Sequence, residues 1–288
     1  MSESPARLDV RKTYKLFIGG AFPRSESGRS YPVLGKRGDL LAYAPQASRK
    51  DLRDAVVAAR GAVGGWSGTT ADNRGQVLYR VAEMMEGRAA EFATEVAAAE
   101  GLRAAKAEAL VSAAIDRWVW YAGWSDKVAQ VAGAANPVAG PYFNFSVPEP
   151  TGVVAVIAPA DSSLLGLVSV LAPVIVTGNA AVVLASELRP LPSIALAEVL
   201  ATSDVPVGVV NVLTGSLAEL APVAAGHMDV NAIDLTGVPK ADRRELERAA
   251  AANLKRVLCD HERWDDPPGT RRLLSALEIK TVWHPVGI

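Results

Sequence analysis

From Thr151 to Cys259 short β-branched strings alternate with helix-length segments. The strings occupy residues 152–157, 181–184, 207–213, 230–235 and 254–259, and segments 162–176, 193–202, 216–225 and 240–252 lie between them. Strings with little polar alternation, joined by crossovers of about three helical turns, predict central strands of a parallel sheet covered on both faces. The fold class is therefore α/β, a doubly wound parallel sheet of Rossmann-like form, and such sheets bind ligands at their carboxyl edge.

Upstream the pattern changes to helical periodicity. A strand at residues 15–22 ends at the pair Gly19-Gly20, which predicts a hairpin. Ser48 stands three residues before Asp51, a capping box at the head of a helix over 52–66 with Leu52, Val56 and Ala59 on one face. Further helices are predicted over 71–86, with Val77, Val81 and Met84 on its apolar side, over 88–100, and as one long stretch over 104–131. That last stretch carries Trp118, Trp120, Tyr121 and Trp124, which read as packing residues because no basic surround accompanies them. After the turn at 136–141, residues 142–147 alternate as an exposed strand with free edges.

Composition narrows the partners. Thirty basic residues against thirty-one acidic ones give no field that would gather nucleic acid or an anionic membrane. The one cysteine, Cys259, excludes an internal disulfide, and the scattered His227, His261 and His284 have no metal-ligand spacing, so no metal is expected. The longest apolar stretch, 164–176, is too short to span a bilayer, and residues 1–11 are too polar for a signal peptide. A cytoplasmic protein that recognises partners by shape is the expectation.

The motif series along the chain is more specific. Residues 16–20, 51–66 and 74–86, then Glu149-Pro150-Thr151-Gly152-Val153-Val154, Gly178-Asn179, 208–215, Leu235-Thr236-Gly237 and Ala252-Asn253-Leu254-Lys255-Arg256-Val257, follow one another in the order seen in the aldehyde dehydrogenase superfamily, which the chain resembles over its first nine tenths. The resemblance implies an NAD or NADP site without the G-x-G-x-x-G fingerprint, at Ala158, Glu187, Gly215 and Gly237. It also identifies departures at chemically important positions. The asparagine of the family's P-W-N-F-P turn, an oxyanion donor, is matched by Asp161, and an ionised carboxylate only accepts hydrogen bonds. The lysine of K-P-x-E is matched by Leu184, while the glutamate remains as Glu187. The diphosphate-binding G-S-T-x-x-G reads Gly237-Val238-Pro239-Lys240-Ala241-Asp242, which loses a hydroxyl and a backbone N–H and adds a carboxylate to the first turn of the next helix. The general-base glutamate is matched by Asp260 in the charged run Asp260-His261-Glu262-Arg263, which reads as a solvated loop. Cys259 ends an apolar strand with no base beside it and reads as a buried, inert thiol. Ser162 and Ser163 likewise lack a histidine placed to activate them.

The family's nucleophile lies in a separate catalytic domain downstream, for which the resemblance finds no counterpart here. Instead, residues 278–287 are similar to the terminal strand that, in full-length relatives, joins the hairpin matched by 142–147 in an oligomerisation sheet. On that reading residues 1–134 are a helical part of the nucleotide domain, 135–150 an oligomerisation hairpin, 151–262 the five-stranded core, 263–275 a linker in place of the catalytic domain, and 276–288 an oligomerisation strand. An alternating strand bearing Ile279 and Trp283 is expected to pair across a subunit boundary. Three functions follow as expectations. The first is a catalytically inactive subunit of a full-length aldehyde dehydrogenase, or of a self-assembly. The others are an NAD(P)-dependent enzyme completed by a partner chain, and an NAD(P)-binding sensor.

Overall fold

The computed structural model of the chain describes residues 12–260 and 263–287. The polar arm over residues 1–11, together with His261 and Glu262, lies outside the described residues. The amino-terminal part contains β1 (Ser30–Leu34), β2 (Leu40–Pro45), α1 (Arg49–Gly68), α2 (Ala71–Glu86), α3 (Ala89–Glu100), α4 (Ala104–Ala122) and α5 (Val128–Ala132). Next come β3 (Ala134–Asn136) and β4 (Tyr142–Pro150). The α/β core is β5 (Val153–Ile157), α6 (Leu165–Val176), β6 (Ala180–Leu184), α7 (Leu191–Leu200), β7 (Val210–Leu213), α8 (Leu217–Gly226), β8 (Ala232–Asp234), α9 (Lys240–Ala251) and β9 (Arg256–Leu258). The short α10 (Arg271–Ser275) and the long β10 (Leu277–Pro285) follow.

The five core strands form one parallel sheet in the order β7-β6-β5-β8-β9. Because β5 is buried along its whole length, every residue from Val153 to Ile157 can be apolar. One face packs on α6 and α7, with α2 and α4 layered behind them; α6 is buried at all twelve positions. The other face packs on α1, α8 and α9. The chain thus winds outward from β5 to β7, then crosses back through α8 to β8. That leaves a topological switch point beside β5.

The capping box at α1 forms as the sequence implies. Ser48 accepts from the amides of Lys50 and Asp51, and the Asp51 carboxylate accepts from Ser48 N at 2.8 Å. Two expectations are corrected. The buried stripe of α2 is Leu78, Val81, Ala82 and Met85, one residue round from the Val77–Val81–Met84 face. The stretch over 104–131 is two helices, since α4 stops at Gly123 and a turn through Ser125-Asp126-Lys127 leads into α5. The hairpin expected at Gly19-Gly20 forms, with Ile18 bridged antiparallel to Ala21 and Leu16 N donating to Pro23 O, and Phe17 pairs with Val212 to cover the β7 edge. Trp118 and Tyr121 are fully buried in the core.

A second, three-stranded antiparallel sheet has the order β10-β4-β3. Strand β10 pairs with β4 over nine positions, from Leu277 opposite Pro150 to Pro285 opposite Tyr142. The terminal strand therefore finds a partner within its own chain on one side. Only its other edge remains for a subunit boundary.

Candidate functional site

The carboxyl ends of the parallel strands gather every residue expected to matter for chemistry. After β5 the chain runs Ala158-Pro159-Ala160-Asp161-Ser162-Ser163 into α6. This loop is tightly held: Ser163 donates from both N and Oγ to Glu100 Oε1 at 2.8 and 2.6 Å, and Ser162 Oγ accepts from Gly166 N at 2.9 Å. Ala158 N donates to Leu184 O, and Gly237 N donates to Ile157 O at 3.2 Å. Ala158 and Gly237 thus meet across the switch point. A methyl group on Gly237 would stand 2.3 Å from Ala158 O, so only glycine permits this backbone approach. Glu187 follows β6 and places Oε2 2.9 Å from Leu217 N, at the start of α8 and two residues beyond Gly215. The four positions Ala158, Glu187, Gly215 and Gly237 therefore lie along one edge.

Beside α9, the cleft is a groove of about 380 Å³ between α8 and α9. Its walls include Leu217, Ala221, Val238 and Leu246, and its rim carries Asp242 and Glu245. Arg243 turns away from it, donating to the carbonyls of Val238, Thr236 and Cys259 and so fixing the turn between β8 and α9.

The chemistry of this donor set can be compared with a dinucleotide's needs. The apolar walls suit a ring. A diphosphate needs free amides and positive charge, whereas Glu187 already accepts from the first amide of α8, Pro239 has no N–H, Val238 has no hydroxyl, and Asp242 brings a negative charge to the first turn of α9. No lysine or arginine is among the residues lining the groove. The residues present do not fit the diphosphate of NAD or NADP, and no catalytic step is derived through it. Among the described residues no group of histidine, cysteine and carboxylate side chains could hold a metal ion. Nor is any helix there long and apolar enough to cross a membrane.

Toward α6 the same edge is filled. Residues 263–275, expected to be a linker, fold across it. Trp264 packs against the α6-side core and donates from Nε1 to Asp161 Oδ1 at 3.1 Å. The buried Arg117 reaches Ser169 Oγ with one nitrogen and the carbonyls of Trp264 and Asp266 with another, at 3.0 and 2.8 Å. Arg189 caps the turn from outside, donating to Ala160 O at 3.1 Å. Beneath them Arg272 of α10 is 2% exposed and Asp234 at the end of β8 is 1% exposed, and the two form an ion pair of 2.8 Å. Arg272 also donates to Thr236 Oγ1 and Asp260 O. Burial pushes the Asp234 carboxyl up, opposed by the Arg272 guanidinium and by Thr236.

Asp161 and Asp260 therefore both anchor this segment. Asp161 accepts from Trp264, and Asp260 pairs with Arg271 at 2.6 Å and is mostly buried rather than solvated. Cys259 is half-buried, not fully buried, and packs with the opposite, α8–α9 cluster, so it does not meet Asp161. Sequence reasoning missed Asp234, Arg272, Arg117 and the Glu100–Ser163 pair. A legible signal did exist for one of them: a lone aspartate inside the apolar string 230–235 needs a buried partner.

With this geometry in view, four likenesses are informative. The model of the aldehyde dehydrogenase family matches residues 24–261. Cytosolic 10-formyltetrahydrofolate dehydrogenase of Mus musculus is 31% identical over 259 residues, 87% of this chain and 28% of that protein. Retinal dehydrogenase 2 of Gallus gallus is 33% identical over 257 residues, 87% of this chain and 48% of that protein. Among solved structures, the NAD-dependent aldehyde dehydrogenase of Sinorhizobium meliloti superposes with a TM-score of 0.80 at 26% identity, covering 86% of this chain and 50% of that one. The chain thus spans half or less of the length of these relatives.

Proposed function

The chain belongs to the aldehyde dehydrogenase family, and on that premise we propose that it is a catalytically silent subunit, which joins a full-length NAD(P)-dependent aldehyde dehydrogenase, or a second copy of itself, and stabilises or regulates the assembly. The observation that carries this reading is the three-stranded sheet. Its outer strands β10 and β3 each have one edge without a strand partner among the described residues. Its surface exposes Tyr142, Phe143, Ile279 and Trp283, each at 45–58%. Tyr142 and Trp283 stack edge to face at 5.7 Å, and Lys280–Glu149 and Ser146–Thr281 pairs hold the register. A long, regular, aromatic edge of this kind is an aggregation hazard unless another chain covers it.

Silence is supported by the other side of the molecule. Asp161 stands where the family places an oxyanion donor, and its carboxylate is already an acceptor for Trp264. Glu187 is engaged by α8. The test is native mass spectrometry of the chain mixed with a full-length aldehyde dehydrogenase from its own source. A heteromer of fixed stoichiometry, abolished by replacing Ile279 and Trp283 together with aspartate, is the expected result. Monomers of both proteins over the accessible concentration range overturn the reading.

A further inference from the structure

Of the two outer strands of the antiparallel sheet, only β10 is long enough to hold a second chain. Strand β3 spans three residues, whereas β10 runs for nine without a shift in register against β4. The hydrogen bonds at its two ends fix which backbone groups of β10 point outward. Val286 N donates to Pro141 O at 2.9 Å, and Ala276 O accepts from Thr151 N at 3.3 Å, so even-numbered residues face β4. Pro148 and Pro150, opposite Ile279 and Leu277, have no N–H to give and agree with that phase. The N–H and C=O groups of Ile279, Thr281 and Trp283 therefore point away from β4, along an edge with no strand partner among the described residues. The usual guards of such an edge are missing. No proline or bulge interrupts residues 277–284, and Lys280 is neutralised by Glu149 at 3.0 Å.

Antiparallel pairing with a second β10 needs outward groups on both strands, so odd-numbered residues oppose odd-numbered ones and the two-fold axis passes through a residue. Centring on Lys280 sets two lysines face to face. Centring on Val282 sets Lys280 against His284 and drops Leu277 and Glu278 from the ladder. Centring on Ile279 runs Trp283 against Ser275, which belongs to α10. Centring on Thr281 uses the whole strand: Ile279 meets Trp283, Lys280 meets Val282, and Glu278 meets His284. We propose that the chain by itself is a symmetric dimer in which two β10 strands pair antiparallel about Thr281 and join the two antiparallel sheets into one. Thr281 exchanges backbone hydrogen bonds with its own copy, and Ile279 does so with Trp283. The axis keeps each sheet face on its own side, so Ile279 of one chain extends the apolar stripe that Tyr142 and Trp283 form at 5.7 Å in the other. Glu278, held by Arg256 at 3.4 Å, faces His284 of the second copy. This inference rests on the assembly reading of the same sheet and names the form the chain takes alone; a longer family member reaches β10 by displacing the second copy.

The experiment is a disulfide cross-linking test of register on the full chain in a Cys259→Ser background. Lys280→Cys and Val282→Cys chains, with tags of different mass, are oxidised separately and as an equimolar mixture. The mixture is expected to give cross-linked dimer about fivefold above either chain alone, because opposed non-hydrogen-bonded residues bring their Cα atoms to about 4.5 Å, within disulfide reach. Sedimentation of the unaltered chain is expected to show a dimer. Thr281→Pro, which removes an outward N–H and leaves the bonds to β4 in place, is expected to show a monomer with the same far-ultraviolet circular dichroism. A dimer that survives Thr281→Pro, or cross-linking in the mixture no greater than in the separate chains, overturns the proposal. An unaltered chain that is monomeric alone yet enters a heteromer with a full-length aldehyde dehydrogenase overturns it too, and leaves the assembly reading standing. A Thr281-centred dimer that ignores the longer protein upholds the proposal and removes the heteromeric form of that reading.

Discussion

On the α6 side of the parallel sheet the carboxyl edge is packed shut by residues 263–275, with Arg272, Arg117 and Trp264 tied to Asp234, Ser169 and Asp161; on the α8–α9 side it stays open as a groove. Both sides come from one family's architecture, and on the proposed reading both lack the polar donors that the resemblance assigns to these positions. They lost them in different ways. On the closed side the altered residues became anchors for the chain itself. On the open side the altered residues, Val238, Pro239 and Asp242, made a neutral wall and an acidic rim that no described residue covers. A degenerate position can thus acquire a structural duty or remain at the surface with new charge, and substitution separates the two outcomes.

The largest difference should come from the buried ion pair. Arg272→Met leaves Asp234 without its counter-ion in the core and should cost about 3–5 kcal/mol in urea unfolding. The double replacement Asp234→Leu with Arg272→Met should recover most of that loss, because a matched apolar pair needs no compensation. The same pair carries a pH signature. The folded-state carboxyl of Asp234 lies above its usual range, so between the unfolded and folded values the native chain holds a proton that the unfolded chain has released. Stability from this group is complete below the unfolded value and is lost as pH rises through the folded one. Without Arg272 the window extends upward. The cost of Arg272→Met should accordingly be larger at about pH 8 than at about pH 5, and a cost unchanged with pH would remove Asp234 from the explanation.

Next in size is Trp264. Trp264→Ala should cost about 2 kcal/mol and make residues 263–275 more accessible to limited proteolysis, and Trp264→Phe, which keeps an aromatic ring but loses the pyrrole half of the indole together with the bond to Asp161, about 1 kcal/mol. The smallest effect belongs to the open side. Asp242→Asn should change stability by about 0.5 kcal/mol, the value of one carboxylate at a helix start, measured by the same unfolding curves. If groove and closed side responded alike, the distinction between them would collapse.

Most of this fold can be read from the strings. Each predicted core strand is present, and its ends were trimmed for local reasons. The 207–213 string begins its ladder only at Val210, because Val209 closes a turn onto Pro206 and Val207 is left exposed. The 254–259 string starts at Arg256 because Leu254 takes a left-handed conformation, φ 57°, at the end of α9 and points to solvent. The family motifs placed Ala158, Glu187, Gly215 and Gly237 along one edge, which neither composition nor periodicity could have done. What sequence could not reveal is the filling of that edge. Arg272 sits in a polar stretch that reads as linker, and its partner Asp234 is thirty-eight residues away. Only packing reveals which arginine of the Arg271-Arg272 pair is buried: Arg272 is 2% exposed, while Arg271 is 79% exposed and pairs with Asp260.

The central claim, catalytic silence of this chain, is tested most directly by aldehyde-dependent reduction of NAD and NADP. The assay uses the chain alone and in complex with a full-length family member whose catalytic cysteine has been replaced. With both nucleotides saturating and with aliphatic and aromatic aldehydes in turn, the account predicts no reduced nicotinamide above the rate of the inactivated partner alone. Reduction that requires this chain, and that disappears when Asp161 or Asp260 is replaced, would contradict it and restore the chain as an enzyme completed by its partner.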